Sequence, residues 1–329
     1  MYFIRSYLIS SIINNLRTES NNASLFNVTL DNKLQLIPVN EYYDALNESV
    51  IEIGMTNTMQ LIMKHCQVTP EETYAHLITS PDLSLYLSNK AKYYRYYESN
   101  ITLKTSLSGT TLKISITADN VPRHLQSLEA VRLLSNTLTM FSDVHGKEYQ
   151  PNRVALPKGI YCNRVIESLL SSPVEYINDE CHIDIWVTSQ DVLRPVKKSS
   201  NINFNHRSHT MNTNLIELMS MPSPDSMTST LEAVLLYQAL FTYPTIIKTA
   251  AIYKMDKQKL QRQLAKESTS FQIELKRIEI RRCCQLIITD GDVNNTFERS
   301  IYRSKKSLER TFKQLKGLTI KEYKDAISC

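Results

Sequence analysis

The pattern of apolar and polar positions changes character along the chain. Over residues 1–196 it mixes two periods. Ile101, Leu103, Thr105 and Leu107 alternate, Ser108-Gly109 supplies a turn, and Leu112, Ile114 and Ile116 alternate again. This spacing predicts a β-hairpin with one buried face. Cys181, Ile183, Ile185 and Val187 predict another strand. Helical stretches lie between them. Ser80-Pro81-Asp82 reads as a helix start with proline at the first helical position, and the helix is expected to continue through the tyrosine-rich segment 93–97. Leu125, Leu128, Leu133, Leu134 and Leu138 form a helical stripe over 121–141. This part is expected to be an α+β domain.

From 197 to 227 the texture is polar, as in KKSSNINFNHRSHTMNTN followed by MPSPDS, and is read as a linker with one short helix at 215–219. From 228 to 329 only helical periodicity remains, which predicts an all-α domain. Within 246–266, a helix with Ile246, Ile247 and Ala250 facing inward should stop near Lys254. Asp256 is a good N-cap, and Met255 before it can staple onto Leu260. The next helix then buries Leu260 and Leu264, four residues apart. Its other faces carry Lys257, Gln258, Lys259, Gln261, Arg262 and Lys266. A helix, a short turn and a second helix with a basic, glutamine-rich face suit insertion into a DNA major groove. There Arg and Lys pair with guanine edges or phosphates and Gln with adenine.

The arrangement recurs. A helix over 293–302 is followed by Ser304 as cap, and the next helix should bury Leu308, Phe312 and Leu315 while Lys305, Lys306, Arg310, Lys313 and Lys316 surround them. Gly317 suits its C-terminus, and Thr319 with Glu322 form a capping box that opens a last helix containing Tyr323. One connecting helix is expected over 271–288, using Phe271, Leu275, Ile278 and Leu286. Either unit alone could be a helical hairpin with solvated charges; two in one small basic domain point to nucleic acid.

Charge sharpens this picture. The whole chain is +5, but residues 231–329 carry 19 Lys and Arg against 11 Asp and Glu, a net of +8, which leaves −3 for the remainder. A basic C-terminal third suggests a polyanionic partner. The six cysteines form no disulfide framework and include no CxxC pair, as expected of reduced thiols in a cytoplasmic protein. The apolar run 234–255 is divided by Pro244 and interrupted by Gln238 and Lys248, so two short core helices are expected instead of a membrane span. The first residues lack an unbroken apolar run and a small-residue cleavage site, and are not read as a signal peptide.

Over 244–324 the chain resembles the DNA-binding domain of the AraC/XylS family of bacterial transcription activators. Ala250, Met255, Leu260, Gln261, Arg262 and Leu264 carry the resemblance in the first unit, and Ser270, Phe271 and Leu286 in the connecting helix. Leu308, Arg310, Phe312, Lys313, Gly317, Glu322 and Tyr323 carry it in the second. The resemblance implies seven helices, with the helices at 256–266 and 304–316 entering successive major grooves roughly 34 Å apart. The sequence departs from the family at Phe297, where a small alanine is usual, and at Ile301, in place of a turn glycine. It departs again at Ile320, in place of proline, and at Glu279, in place of arginine. A β-branched residue suits a positive-φ turn poorly, so the first unit is expected to read bases and the second to supply backbone affinity. More faintly, Ile37-Pro38 with Tyr42 and Leu46, the 80–97 helix, the following hairpin, Pro151-Asn152-Arg153-Val154 and the strand at Ile183 resemble the arabinose-binding-like (OruR-type) effector domain. That likeness implies a regulatory, dimerising role and a small-molecule effector. The family as a whole implies RNA polymerase as a partner.

The sequence contains no P-loop, GxGxxG or GxSxG motif, and neither an enzyme nor a cofactor is expected. His206 and His209 have metal-like spacing but sit in the polar linker without a further ligand cluster. Cys181-His182 reads as strand alternation, and Cys283 as a small residue packed in a helix. Redox sensing by Cys283-Cys284 is a weaker alternative. A second reading of the whole chain is a regulatory interaction protein whose altered second unit reads little DNA sequence.

Overall fold

A computed structural model of the chain describes residues 1–20, 35–65, 82–145, 148–158, 166, 170–177, 181–193, 221–239, 243–290 and 304–327. The chain divides into two compact units, Tyr2–Met221 and Pro222–Cys329, the latter together with Met1. The first carries the sheets and the second is helical in all its described elements. This is the expected combination of an α+β part and an all-α part.

In the N-terminal unit, β1 (Phe3–Arg5) pairs antiparallel with β2 (Leu36–Pro38). Helices α1 (Ser10–Ser20), α2 (Val39–Ile53) and α3 (Met55–His65) surround this ribbon in sequence and pack on one another. Helix α4 (Leu83–Tyr93) follows. Asp82 caps it by accepting from the Leu85 amide at 2.8 Å. The tyrosine run therefore differs from expectation. The α-helix ends at Tyr93, and Tyr94–Tyr96 form a 3-10 turn with Tyr94 buried.

The predicted hairpin is β3 (Ile101–Ser108) and β4 (Thr111–Ala118), turned at Gly109, whose φ of +60° favours glycine. Along β4 the apolar residues Leu112, Ile114 and Ile116 are buried and the residues between them half-buried, the period-2 signature. Helix α5 (Gln126–His145) follows, burying Leu128, Leu133 and Leu134 but leaving Leu138 half-buried. Strands β5 (Arg153–Pro157), β6 (Val174–Ile177) and β7 (His182–Thr188) complete a five-stranded sheet in the order β3-β4-β7-β5-β6. All its pairings are antiparallel except β5 with β6. Strand β7 begins one residue later than the alternation suggests, because Cys181 sits at φ +37°. A short helix α6 (Ser189–Val192) is the last described element of this unit.

The interior of this unit holds a charge cluster that periodicity did not reveal. Arg132 is fully buried on α5 and bonds both oxygens of Glu129, from Nε at 2.9 Å and from Nη2 at 2.6 Å. Its Nη2 also donates to Glu98, just before β3. Asn100 donates to the Tyr43 hydroxyl at 3.1 Å and to the Asp119 carbonyl at 3.2 Å. Burial raises the Glu98 carboxyl to about 7, against the pull of Arg132. Cys181 lies in the same electrostatic neighbourhood, and burial pushes its thiol well above the ordinary range, which suits packing better than nucleophilic chemistry.

Candidate nucleic-acid interface

The C-terminal unit opens with α7 (Met227–Gln238), followed by α8 (Ile246–Ile252). The apolar run across 234–255 is thus divided around a buried Pro244, and no described helix is long and apolar enough to cross a membrane. Thr245 caps α8 by accepting from the Lys248 amide. Ala250 and Ile252 face the core, but Ile247 is 70% exposed and Ile246 half-buried, which corrects the expected inward set. A seven-residue helix has room for only one narrow inward stripe.

The turn after α8 is set by its backbone. Lys254 takes φ +52°, its amide donates to Ala251 and the Met255 amide donates to Ala250. Asp256 then caps α9 (Lys257–Lys266), accepting from the Lys259 amide at 2.6 Å. The expected cap is therefore present, and Met255 before it is half-buried. Leu260 and Leu264 are fully buried, while Lys257, Gln258, Lys259, Gln261, Arg262 and Lys266 are all exposed. Helix α7 packs on both α8 and α9. Two buried hydrogen bonds hold α7 against α8 and its C-cap residue: Thr249 to Gln238 at 3.0 Å, and the Tyr253 hydroxyl to Thr230 at 2.9 Å.

Glu267, the residue after α9, plays a part the sequence reading missed. Its carboxylate accepts from the Met227 and Thr228 amides at 2.7 and 2.9 Å and from the Thr228 hydroxyl. These bonds hold its carboxyl below the usual range. Nothing in the local sequence signals the contact, because its partners lie about 40 residues earlier.

Helix α10 (Phe271–Asp290) is continuous, as the connecting helix was expected to be. Phe271, Leu275 and Ile278 are buried, and Leu286 lies outside the described side chains. An ion pair from Arg281 to Glu232 joins α10 to α7. Further along, Ile280, Cys283, Cys284 and Ile287 cluster with Leu308 and Phe312 of α11 (Lys305–Lys316) and Ile320 of α12 (Ile320–Ile327). Tyr323 packs edge-on against Phe312 at 5.4 Å. Both cysteines are packing residues, buried to 1% and 6% exposure. Ile320, where the AraC/XylS pattern has proline, is itself a core residue.

The Ser304 cap and the Gly317 left-handed terminus (φ +75°) of α11 are as expected. So is the capping box: the Thr319 amide donates to Glu322 at 2.7 Å and the Glu322 amide to the Thr319 hydroxyl at 3.2 Å. Ser304, Lys305, Lys306, Arg310 and Lys313 are all exposed opposite Leu308 and Phe312. Leu315 is 44% exposed, correcting its assignment to the core; the buried third position is Thr311. The expected helix at 293–302, with Phe297 and Ile301, lies outside the described residues, as do His206, His209 and the helix at 215–219.

Two helices in one unit thus present a basic face opposite a leucine or phenylalanine core, each started by a side-chain cap. Such a surface can place guanidinium, ammonium and amide groups against phosphates and base edges.

No family model and no curated protein matches the sequence. Among solved structures, the chain is similar to the transcriptional regulator CdpR from Pseudomonas aeruginosa, at 18% identity and a TM-score of 0.43, over 95% of this chain and 96% of that one. It is also similar to a DNA-binding transcriptional dual regulator from Escherichia coli K-12, at 22% identity and a TM-score of 0.29, over 31% of this chain and 97% of that one.

Proposed function

We propose that the chain is a bacterial DNA-binding transcription regulator of the AraC/XylS type that binds duplex DNA sequence-specifically through two helix-turn-helix units. The observation that carries this reading is α9: Lys257, Gln258, Lys259, Gln261, Arg262 and Lys266 exposed on a capped helix whose Leu260 and Leu264 are fully buried. Helix α10 supports the two-site geometry. Its 20 residues span about 30 Å at 1.5 Å per residue, close to the roughly 34 Å between successive major grooves on one face of a duplex. Residues 228–329 read DNA, 197–227 connect, and 1–196 regulate by dimerising and by binding a small-molecule effector. RNA polymerase is the further partner, in the cytoplasm.

Phosphate contacts supply most of the affinity, so binding falls steeply with salt. Arg262→Ala should weaken binding at the preferred site by about 1–3 kcal/mol and weaken binding to random DNA less. Competition gel shifts with the two DNAs measure this, and equal losses on both would reduce Arg262 to a phosphate contact. Lys305→Ala with Lys306→Ala should instead weaken binding on all sequences and lower the salt slope by about 2, one for each phosphate contact removed. Titrations over a salt series test it, and a changed sequence preference would show that α11 reads bases. A wild-type chain that selects no sequence from a random pool would favour the regulatory interaction protein instead.

A further inference from the structure

We infer that Glu267 is a positioning residue for the base-reading helix, fixing the C-terminal end of α9 to the first turn of α7. The inference rests on the DNA-reading function proposed above. The first four amides of any α-helix have no partner within the helix. In α7 these are the amides of Ser226 to Ser229, of which Ser226 donates to the Ser223 carbonyl at 3.2 Å and Ser229 to the Ser226 hydroxyl at 3.2 Å. The other two, Met227 and Thr228, donate to Glu267. The side chain that completes the α7 cap is thus the residue at which α9 ends, since the Glu267 amide still donates to Leu264 and Ala265. The next residue, Ser268, takes φ +56° and turns the chain toward α10.

This anchor matters because of leverage. Helix α9 has ten residues, a length of about 15 Å, so a tilt of about 5° moves one end by about 1 Å relative to the other. The other end is held by the Asp256 cap and the buried Leu260. Gln261 and Arg262 lie between the two anchors, and bidentate contacts to base edges tolerate little displacement. Phosphate contacts are less demanding of geometry, so loss of the anchor should lower discrimination more than total affinity.

Charge and position can be separated because they act in opposite directions. Removing one carboxylate from a DNA-binding face favours any polyanion. Glu267→Ala and Glu267→Gln should therefore both bind random DNA at least as well as the wild type. Glu267→Gln keeps a carbonyl oxygen that can accept from one α7 amide.

The test uses the full-length protein and the DNA sequence that the wild type selects from a random pool. The ratio of affinity for that sequence to affinity for random DNA should fall roughly five- to tenfold in Glu267→Ala, in line with loss of a helix cap, and should recover in part in Glu267→Gln. Thr228→Val, which removes only the hydroxyl donor, should give a smaller fall of the same sign. Amide hydrogen exchange at Met227 and Thr228 should accelerate in Glu267→Ala without DNA present. An unchanged ratio in a folded Glu267→Ala protein overturns the role of Glu267 while leaving DNA reading intact, and so does unchanged exchange at both amides. A wild type that selects no sequence overturns the DNA-reading function itself, and this inference with it.

Discussion

Arg132→Ala should destabilise the N-terminal unit by about 3–5 kcal/mol, the usual cost of removing one partner from a buried ion cluster. Arg132 has no solvent exposure, and the two carboxylates that surround it, Glu98 and Glu129, are buried to 1% and 0%. Truncation would leave both without their shared cation. It would also remove the guanidinium lying over the Tyr42 ring, 5.8 Å from its centroid. The chain's single tryptophan, Trp186, lies on β7 in this unit, so its fluorescence reports unfolding here separately from the helical unit. The loss should be larger at neutral pH than near pH 5. In the wild type burial raises the Glu98 carboxyl to about 7. Its folded state therefore holds the proton more tightly than the unfolded chain, whose carboxyl titrates near 4.3. The stabilisation linked to this proton is complete below the unfolded value and is lost as pH rises through about 7. Without Arg132 the carboxyl rises further, and the neutral-pH deficit grows. Urea unfolding of wild type and variant at pH 5 and pH 7.5 measures both effects. A loss below about 1 kcal/mol at pH 7.5 would mean that water reaches the cluster in solution.

Phe312→Ala should destabilise the C-terminal end of the helical unit by about 3–5 kcal/mol. Phe312 is fully buried among Ile280, Cys283, Cys284, Ile287, Leu308 and Ile320, and Tyr323 meets its ring edge-on. Neither partner helix can stand without it: α11 has twelve residues and α12 eight, too short to persist in water from intrinsic propensity. Helical circular dichroism should fall at lower denaturant concentration, while the Trp186 transition stays in place. A small cost would indicate that the thiols and Ile287 close over the space. The same substitution should remove the phosphate contacts proposed for Lys305 and Lys306, because the helix that presents them loses its support.

Much of the helical C-terminal unit was written locally. Asp256, Ser304, Gly317 and the Thr319–Glu322 box act within three or four residues of themselves, and the structure has each in its expected role. Leu260 and Leu264 mark the inward face of α9 by spacing alone, and the β3–β4 hairpin follows from alternation around Gly109. For the same local reason, periodicity overreached at the borders of a stripe. Ile247 and Leu315 fit the pattern and are exposed, because how wide a face a helix buries depends on the neighbours laid across it.

Local sequence therefore settles where the capped helices begin, where the β3–β4 hairpin turns and where the centre of each apolar stripe lies, since these depend on hydrogen bonds and periods spanning a few residues. Tertiary structure alone sets the sheet order, with β5 between β7 and a parallel β6, and the pairing of buried Arg132 with Glu98, 34 residues away. It likewise decides the closure of the α7 cap by Glu267. Each of these joins groups that are distant in the chain. A charged residue in a helix looks the same on paper whether it meets water or an opposite charge brought to it by folding.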